Sequence, residues 1–266
     1  MLLAITGALI ASSEALLSPP QPSSVLRLGG KGVARCCVPY QPPRGGQGRL
    51  APQVVGEFVG VTVLMLLGGG VAFSPNVNLL GVALIWGFAV HTAIHVAEKT
   101  SDAHLNPAVT LAVRPRASTI LAQCLGSLVA SVVLTLVFNV RPGQQLPFYL
   151  AKPARGLVAA FAAEAVATAI LVFVALTTSK YVVPVCVASL IAVFGPVSGA
   201  GLNPARDLGP RLVQAALARG TAVDVWQILV CDSWPFLLGP VAGGMIGAYL
   251  HREYDKLVWY AKTRAG

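Results

Sequence analysis

Hydrophobic residues occur along this chain in long runs separated by short polar or Gly- and Pro-containing stretches. From Val54 onward, six apolar runs cover residues 54–73, 79–97, 117–139, 156–177, 181–194 and 226–250. A helix needs about 20 apolar residues to cross roughly 30 Å of hydrocarbon, and each run ends at Gly, Pro or a charge. The pattern predicts six membrane-spanning helices. The fifth would be only about 22 Å long if it ended at Phe194, so it is expected to begin deep in the membrane or to continue irregularly.

Two shorter segments, Pro107–Val113 and Pro204–Ala218, lie between these runs and are too short or too charged to cross a bilayer. Each begins with proline, which a helix tolerates best at its first position. They are predicted to be re-entrant half-helices. Irregular backbone at membrane depth is stable only where protein buries it or a wet cavity solvates it, so two such segments indicate a pathway between them.

The two short segments belong to an internal repeat. Leu-Asn-Pro-Ala occurs at 105–108 and again at 202–205, each time after two apolar runs and before a third. Because each half has an odd number of spanning helices, the second half must enter the membrane in the opposite direction. We therefore predict an inverted 3+3 repeat, in which both half-helices meet at the midplane.

One carboxylate stands in the first helix of each half, at Glu57 and at Glu164. A charge there is costly and must face the bundle interior. The carboxylate could brace the loop that leads into the half-helix, or it could relay protons. Unpaired backbone N–H groups in such a loop favour bracing.

The composition indicates lipid as the solvent. Of the 266 residues, 55% are hydrophobic and 11% charged, against about 25% charged in soluble domains. The net charge of +9 does not indicate nucleic acid, because the nineteen Lys and Arg residues are dispersed over loops and ends. Thirteen of them fall on the side that holds both chain ends and four on the other. Both termini are therefore predicted to be cytoplasmic.

The first 52 residues differ from the rest. A short apolar stretch, Met1 to Leu17, precedes a tract rich in Ser, Pro, Gly and Arg, which fits either an organelle presequence or a basic tail retained in the cytosol. The predicted organisation is this segment, a membrane domain over 53–251 with halves 53–140 and 156–251, and a cytoplasmic tail over 252–266. The membrane is that of the cell or of an organelle.

Cysteine and histidine spacing predicts no metal site. Three cysteines lie in or beside apolar segments, where a thiol packs as a small hydrophobe, and the adjacent pair at 36–37 would be palmitoylated only if it met a membrane. His91 and His95 lack a third ligand, and buried neutral histidines are commoner. The cysteines are Cys36, Cys37, Cys124, Cys186 and Cys231.

A stripe of glycines, Gly239, Gly243 and Gly247, marks one side of the last apolar run. Small residues at this spacing favour close helix packing, and a contact between subunits is the alternative.

Asparagine is suited to cap each predicted half-helix. Its side-chain oxygen can accept from a backbone N–H of the first turn, while the amide N–H groups point outward as donors. Two positive helix ends that face each other repel cations and let neutral acceptors pass. The two motifs consist of Asn106, Pro107 and Ala108, and of Asn203, Pro204 and Ala205.

Longer strings surround these motifs: His-Leu-Asn-Pro-Ala-Val-Thr at 104–110 and Gly-Pro-Val-Ser-Gly-Ala-Gly-Leu-Asn-Pro-Ala-Arg-Asp-Leu-Gly-Pro-Arg-Leu at 195–212. They resemble the major intrinsic proteins, the aquaporin and aquaglyceroporin family, over about residues 53–251. The resemblance implies an all-α bundle of six tilted helices plus two half-helices, one pore per subunit and a homotetramer.

The resemblance also places the family's narrowest constriction, the selectivity filter, at Trp86, Ile191, Ala200 and Arg206. Water-selective relatives have His in place of Ile191, so this filter is expected to be wider and to admit glycerol. Arg206 would lie opposite the ring of Trp86. The arginine would bind the hydroxyls of a solute, and the carbon chain of the solute would slide along the ring. The set is similar to the nodulin-26-like and glycerol-facilitator branches, whose members pass glycerol, ammonia or metalloid hydroxides.

Further positions are implied to report the solute class. Asp207 and Arg211 resemble the acid and base that follow the second motif in glycerol conductors, whereas Phe236, followed by Leu237, stands where glycerol conductors tend to have Pro. Backbone carbonyls are expected to line the pore, those of Asp102, Ala103 and His104 in the first loop and those of Gly199, Ala200 and Gly201 in the second.

Asp102 departs from the family's usual Gly. An acid at this position could concentrate cations at the cytoplasmic mouth or bend the loop.

The leading hypothesis is a passive channel for water and small uncharged solutes such as glycerol, with urea, ammonia and metalloid hydroxides as further candidates and no cofactor. Phe236 alone favours the alternative of strict water selectivity. A non-conducting junction or scaffold protein would not need intact Asn106, Asn203 and Arg206. A secondary transporter lacks a further mid-membrane acid, and no nucleophile and base share a pocket, which argues against an enzyme.

Overall fold

The computed structural model describes residues 50–74, 76–141, 151–218 and 224–264. The N-terminal segment up to residue 49, with Cys36 and Cys37, lies outside the described residues. Every regular element within the described ranges is helical. The all-α prediction is confirmed for that part of the chain.

Five of the helical stretches are long and apolar enough to cross a membrane, and Val182–Ser198 is apolar but shorter. These are the dimensions of a multi-pass membrane protein. A 3₁₀ turn, Val71–Phe73, extends the first helix, and a π-helical segment, Gln227–Cys231, precedes the last. The α-helices of the described ranges are α1 (Leu50–Gly70), α2 (Leu79–Ala97), α3 (Pro107–Val113), α4 (Ala117–Val137), α5 (Leu157–Thr177), α6 (Val182–Ser198), α7 (Pro204–Ala218) and α8 (Trp234–Arg264).

Of the two possibilities for the short fifth run, the helix continues past Phe194. Helix α6 continues through Pro196 to Ser198, which makes it about 26 Å long. It ends where Gly199 takes φ +82° and donates its N–H to the carbonyl of Gly195 at 2.8 Å. A glycine in the left-handed region is a common helix terminator, so the proline is accommodated in the last turn.

The helix that contains the last apolar run extends beyond Leu250: α8 runs on to Arg264 and reaches about 46 Å. The charged residues beyond Leu250 pair along the helix: Lys256 Nζ lies 2.9 Å from the carboxylate of Glu253. Pairs three or four residues apart stabilise a helix. The change to polar sequence therefore ends the apolar run without ending the helix.

The two halves of the chain pack by the same scheme. Helix α1 packs on α2 and α4, and α5 packs on α6 and α8; each half-helix packs against the last helix of the other half, α3 on α8 and α7 on α4. A Cβ atom added at Gly244 would lie 2.9 Å from the Ala108 carbonyl oxygen. The sequence repeat thus corresponds to a repeated set of contacts.

The glycine stripe of α8 lies against α5. A Cβ atom at Gly243 or at Gly247 would overlap the carbonyl oxygen of Ala165 or of Ala169, and one at Gly239 would lie 2.8 Å from Glu164 Cβ. The stripe allows two helices of one chain to approach closely. Of the two interpretations of this stripe, helix packing accounts for these contacts.

Candidate functional site

Both asparagines cap their half-helices as the motif predicts. Asn106 Oδ1 accepts from the N–H of Ala108 at 2.9 Å, and Asn203 Oδ1 accepts from the N–H of Ala205 at 3.0 Å. Pro107 and Pro204 are the first helical residues, where the missing N–H costs no hydrogen bond.

The two caps are also bonded to each other's loops. Asn106 Nδ2 donates to the carbonyl of Leu202, and Asn203 Nδ2 donates to the carbonyl of Leu105, each at 2.8 Å. The amide group of each asparagine thus acts as the expected donor, and one of its N–H groups is used by the opposite loop. The half-helices meet end to end through two reciprocal hydrogen bonds.

The buried carboxylate of each half binds the loop before its half-helix. Glu57 accepts from the N–H of His104 at 2.8 Å and from that of Leu105 at 2.7 Å. Glu164 accepts from the N–H of Gly201 at 2.8 Å and from that of Leu202 at 2.5 Å. The two carboxylates thus make matching pairs of bonds: each accepts from the N–H groups of the third and fourth residues after a serine, Ser101 in the first half and Ser198 in the second.

Further polar residues complete these loops, and the motif did not single them out. Gln123 Nε2 donates to Glu57 at 2.8 Å, and the hydroxyl of Ser198 donates to Glu164 at 2.7 Å. Ser101 and Ser198 each accept from the backbone N–H two residues later, at 3.0 and 3.1 Å. Both serines stand five residues before the motif asparagine, so a longer alignment of the two repeats, Ser-x-Ala-x-Leu-Asn-Pro-Ala, would have found them.

Non-glycine residues in these loops take left-handed backbone angles. Ala103 and Leu105 have φ of 52° and 55°, and Ala200 and Leu202 have φ of 46° and 55°. Such angles cost of order 1–3 kcal/mol per residue. They also turn successive N–H groups towards one side, where an anion binds. The carboxylates of Glu57 and Glu164 stabilise this arrangement.

One cavity of about 230 Å³ runs between the helices and past both motif asparagines. Helix α2 contributes Trp86, Val90 and Ile94 to its lining, and its C-cap residue Glu98 continues the series. These residues recur every fourth position, so they form one stripe about 18 Å long. The half-helix α3 contributes Val109 and Val113 at the same spacing.

The four residues of the predicted selectivity filter all line this cavity and are buried. Arg206 Cζ lies 5.1 Å from the centre of the Trp86 ring, which is a cation–π distance. Trp86 and Arg206 therefore form adjacent parts of the wall, and the expectation of facing walls with solute between them is wrong. The four residues are Trp86, Ile191, Ala200 and Arg206.

The loop residues expected to present carbonyls divide into two groups. Asp102, Ala103, His104, Ala200 and Gly201 line the cavity. Gly199 is outside that lining, and a Cβ atom added there would lie 3.0 Å from the backbone nitrogen of Lys152.

The residues expected to report the solute class lie outside the cavity lining. Asp207 and Arg211 form a buried ion pair, and Arg211 also donates to the carbonyl of Ala151 at 3.0 Å. The Arg211 guanidinium lies 5.1 Å from the ring centre of Phe236. Leu237, the next residue, is partly buried in α8. This group ties α7 and α8 to the link that precedes α5.

The mouth of the cavity at the end of α2 carries charged residues, and we call it the inner mouth. It is formed by Glu98, Asp102, Val113, Thr178 and Lys180. Asp102 lies 3.9 Å from the guanidinium of Arg114, and its N–H donates to Gln53 at 3.0 Å. The Asp102 carboxylate thus faces a cation of the protein itself.

The histidines and cysteines of the described ranges form no metal-binding cluster of three or more ligands. His95 Nδ1 lies 2.8 Å from the carbonyl oxygen of His91, and both rings approach the ring of Tyr181. Cys124, Cys186 and Cys231 are partly buried.

An apolar helical bundle in which two capped half-helices meet beside one lined cavity defines a membrane channel. The chain belongs to the major intrinsic protein family, whose sequence model matches residues 47–251.

Individual relatives are similar over most of their length. Glycerol uptake facilitator protein 3 of Lactiplantibacillus plantarum is 33% identical over 236 residues, which cover 76% of this chain and 96% of that protein. Aquaporin NIP1-1 of Zea mays is 31% identical, with 75% of this chain and 73% of that protein covered. The X-ray structure of the aquaglyceroporin from Plasmodium falciparum matches with a TM-score of 0.62 at 24% identity, covering 78% of this chain and 96% of that one. This last similarity concerns the fold.

Proposed function

We propose that the protein is a passive channel for water and small uncharged solutes, glycerol among them. The observation that carries the proposal is the cavity between the helices, which has Arg206 and Trp86 at one end and both motif asparagines along its wall. The names of the relatives, glycerol uptake facilitator and aquaporin, agree with it. Urea, ammonia and metalloid hydroxides are the further solutes to test.

Selection against cations follows from the two facing half-helices and Arg206. A helix N-terminus carries about half a positive charge, and the guanidinium adds a full charge beside it. A primary amide has two N–H groups, so each asparagine keeps one N–H for a molecule in the cavity after bonding to a carbonyl. Neutral molecules with an acceptor oxygen are stabilised there, whereas cations are repelled.

Passage of glycerol follows from the wall around Arg206. Ile191 and Ala200 present apolar surface without bulk, and Trp86 offers a flat face beside the guanidinium. Hydroxyls can bond to Arg206 while the carbon chain contacts the apolar part of the wall. Phe236, the residue that favours strict water selectivity, packs on Arg211 and is outside the cavity lining, so it is not placed to contact a passing solute.

The membrane arrangement that we infer has six spanning helices, α1, α2, α4, α5, α6 and α8, with α3 and α7 as re-entrant half-helices in an inverted repeat. The repeated packing scheme supports it. The membrane domain covers 53–251, between an N-terminal presequence or tail and a cytoplasmic tail, and both termini face the cytoplasm. By family resemblance the channel assembles as a homotetramer, one pore per subunit.

Proteoliposome swelling tests the function. Vesicles containing the protein are expected to shrink faster than empty vesicles in an impermeant osmolyte, and to reswell faster under a glycerol gradient. Faster water flux with glycerol reswelling no faster than in empty vesicles would leave only the water-selective alternative. No increase in either flux would favour the non-conducting scaffold.

A further inference from the structure

An ion pair crosses the inner mouth of the cavity. Glu98 is the residue directly after α2, and Lys180 lies in the short link between α5 and α6. Lys180 Nζ lies 2.6 Å from each carboxylate oxygen of Glu98. Both residues belong to the cavity lining, so a molecule that leaves the cavity at this end passes the pair.

The pair differs from the other charges at this mouth. Asp102 and Arg114 are 3.9 Å apart and contribute one charge of each sign. The charges of Glu98 and Lys180 likewise cancel, so loss of either one alone leaves these four residues with a net charge. The hydrogen bond to Glu98 raises the pKa of Lys180 above its ordinary value, so the ammonium stays charged at physiological pH. A cation–π contact of 5.2 Å to the Tyr181 ring also orients Lys180.

The ion pair lies where a solute leaves the cavity, and its two side chains can separate. The apolar lining residues at this end, Ile94, Val113 and Val183, belong to packed helices, whereas Glu98 and Lys180 lie outside the helices and meet through their side chains. The side chain of Glu98 is 20% exposed and that of Lys180 is 37% exposed. Water therefore screens their attraction, and the pair opens reversibly.

We propose that the Glu98–Lys180 ion pair is a second permeability-determining element, which narrows the inner mouth for solutes larger than water. The proposal rests on the channel function proposed above. A water molecule passes beside the closed pair, whereas a glycerol-sized molecule waits for it to open. Arg206 and its neighbours then select the solute at one end, and the pair limits the rate at the other.

Single substitutions that remove the pair test this. Glu98→Gln and Lys180→Met are each expected to raise glycerol flux in proteoliposomes about two- to fivefold, the range for a partly exposed pair, with a smaller change in water flux. The double variant Glu98→Lys/Lys180→Glu, which restores the pair in reverse, is expected to return to the wild-type flux. Lys256→Met is the matched control, because it breaks the Lys256–Glu253 pair far along α8.

Ionic strength gives a second measurement that a structural defect would not reproduce. Raising impermeant salt from about 0.01 M to 1 M shortens the Debye length from roughly 30 to 3 Å, so wild-type glycerol flux should rise while that of Lys180→Met stays constant. Unchanged flux in both single variants, or a double variant that behaves like them, would overturn the inference while the channel function stands. Wild-type vesicles no more permeable than empty ones would overturn both.

Discussion

Trp86 is positioned by a glycine that does not line the cavity. Its ring lies over Gly68 of α1 so closely that a Cβ atom at Gly68 would overlap three ring carbons. The absence of a side chain at Gly68 therefore sets the position of Trp86, the largest of the four predicted filter residues. The same argument does not apply to Gly70, where an added Cβ would meet only Leu134 Cδ2 at 3.6 Å.

Gly68→Ala is expected to push the Trp86 ring into the cavity and to lower glycerol flux several-fold more than water flux. Overpacking of this kind costs about 1–3 kcal/mol, so the melting temperature in detergent should be measured alongside the fluxes. Gly70→Ala is the control and should leave both fluxes unchanged. Equal losses of glycerol and water flux in Gly68→Ala would contradict the assignment of Trp86 to the constriction.

Ile191→His tests another residue of the proposed constriction. The imidazole adds a polar group and removes apolar wall, so glycerol flux should fall more than water flux. Stopped-flow swelling of the same vesicle preparation in glycerol and in impermeant osmolyte gives both values. A parallel fall of both would mean that Ile191 does not discriminate between solutes.

The role of a residue could be predicted from the sequence where its type and its neighbours in a motif allow few other roles. Asn106 and Asn203 could be assigned as caps because asparagine followed by proline has few other uses in lipid. The ion pair between Glu98 and Lys180 could not be predicted, because 82 positions separate the residues and neither belongs to a repeat. Gly68 was equally hidden, since its role depends on the ring that packs over it.

At the scale of elements, each half-helix depends on the loop before it. The loops hold alanine and leucine at positive φ, and each is stabilised by a carboxylate fully buried in the first helix of its half. The cost of burying that charge is offset by the N–H groups that bind it. The brace, the strained backbone and the helix cap therefore act as one unit.

Glu164→Gln is expected to destabilise this unit. The amide replaces one acceptor oxygen by a donor, so one of the groups now bound by Glu164 loses its partner in a buried site, at a cost of about 1–3 kcal/mol. For a chain of this size that lowers the melting temperature by about 2–4 °C for each kcal/mol. Glu253→Gln, at the exposed end of α8, should melt like the wild type, and an unshifted Glu164→Gln would mean that the carboxylate does not brace the loop.

Helix boundaries were predictable where chemistry changes abruptly and were missed where it changes gradually. Proline fixed the starts of α3 and α7, which agree with the structure. The ends of α6 and α8 lie beyond the ends of their apolar runs, because hydropathy falls at Phe194 and Leu250 while the backbone can continue. Gly199 terminates α6 by its conformation, and paired charges carry α8 onward.

At the scale of the whole molecule, the extension of α8 adds nothing to the cavity lining described here. A chain that ends at Asp255 keeps the contact of Tyr254 with Phe173, at 5.7 Å between ring centres, and loses only the exposed end of the helix. Its water and glycerol fluxes per protein are expected to equal those of the full chain. Loss of flux in vesicles that contain correctly folded shortened protein would mean that the extension contributes to permeation.

The reciprocal bonds between the motif asparagines and the opposite loops have a consequence for biosynthesis. Glu57 finds its partners within the first half, at His104, Leu105 and Gln123, so that half can enter lipid with its charge already satisfied. Asn106, in contrast, waits for Leu202. At about 5–20 residues per second, the ribosome needs roughly 5 to 20 s to make the 96 residues between them. During that interval the Asn106 amide in the nascent first half lacks its hydrogen-bond partner in the second half. This is therefore the period when the translocon or a membrane chaperone is most needed.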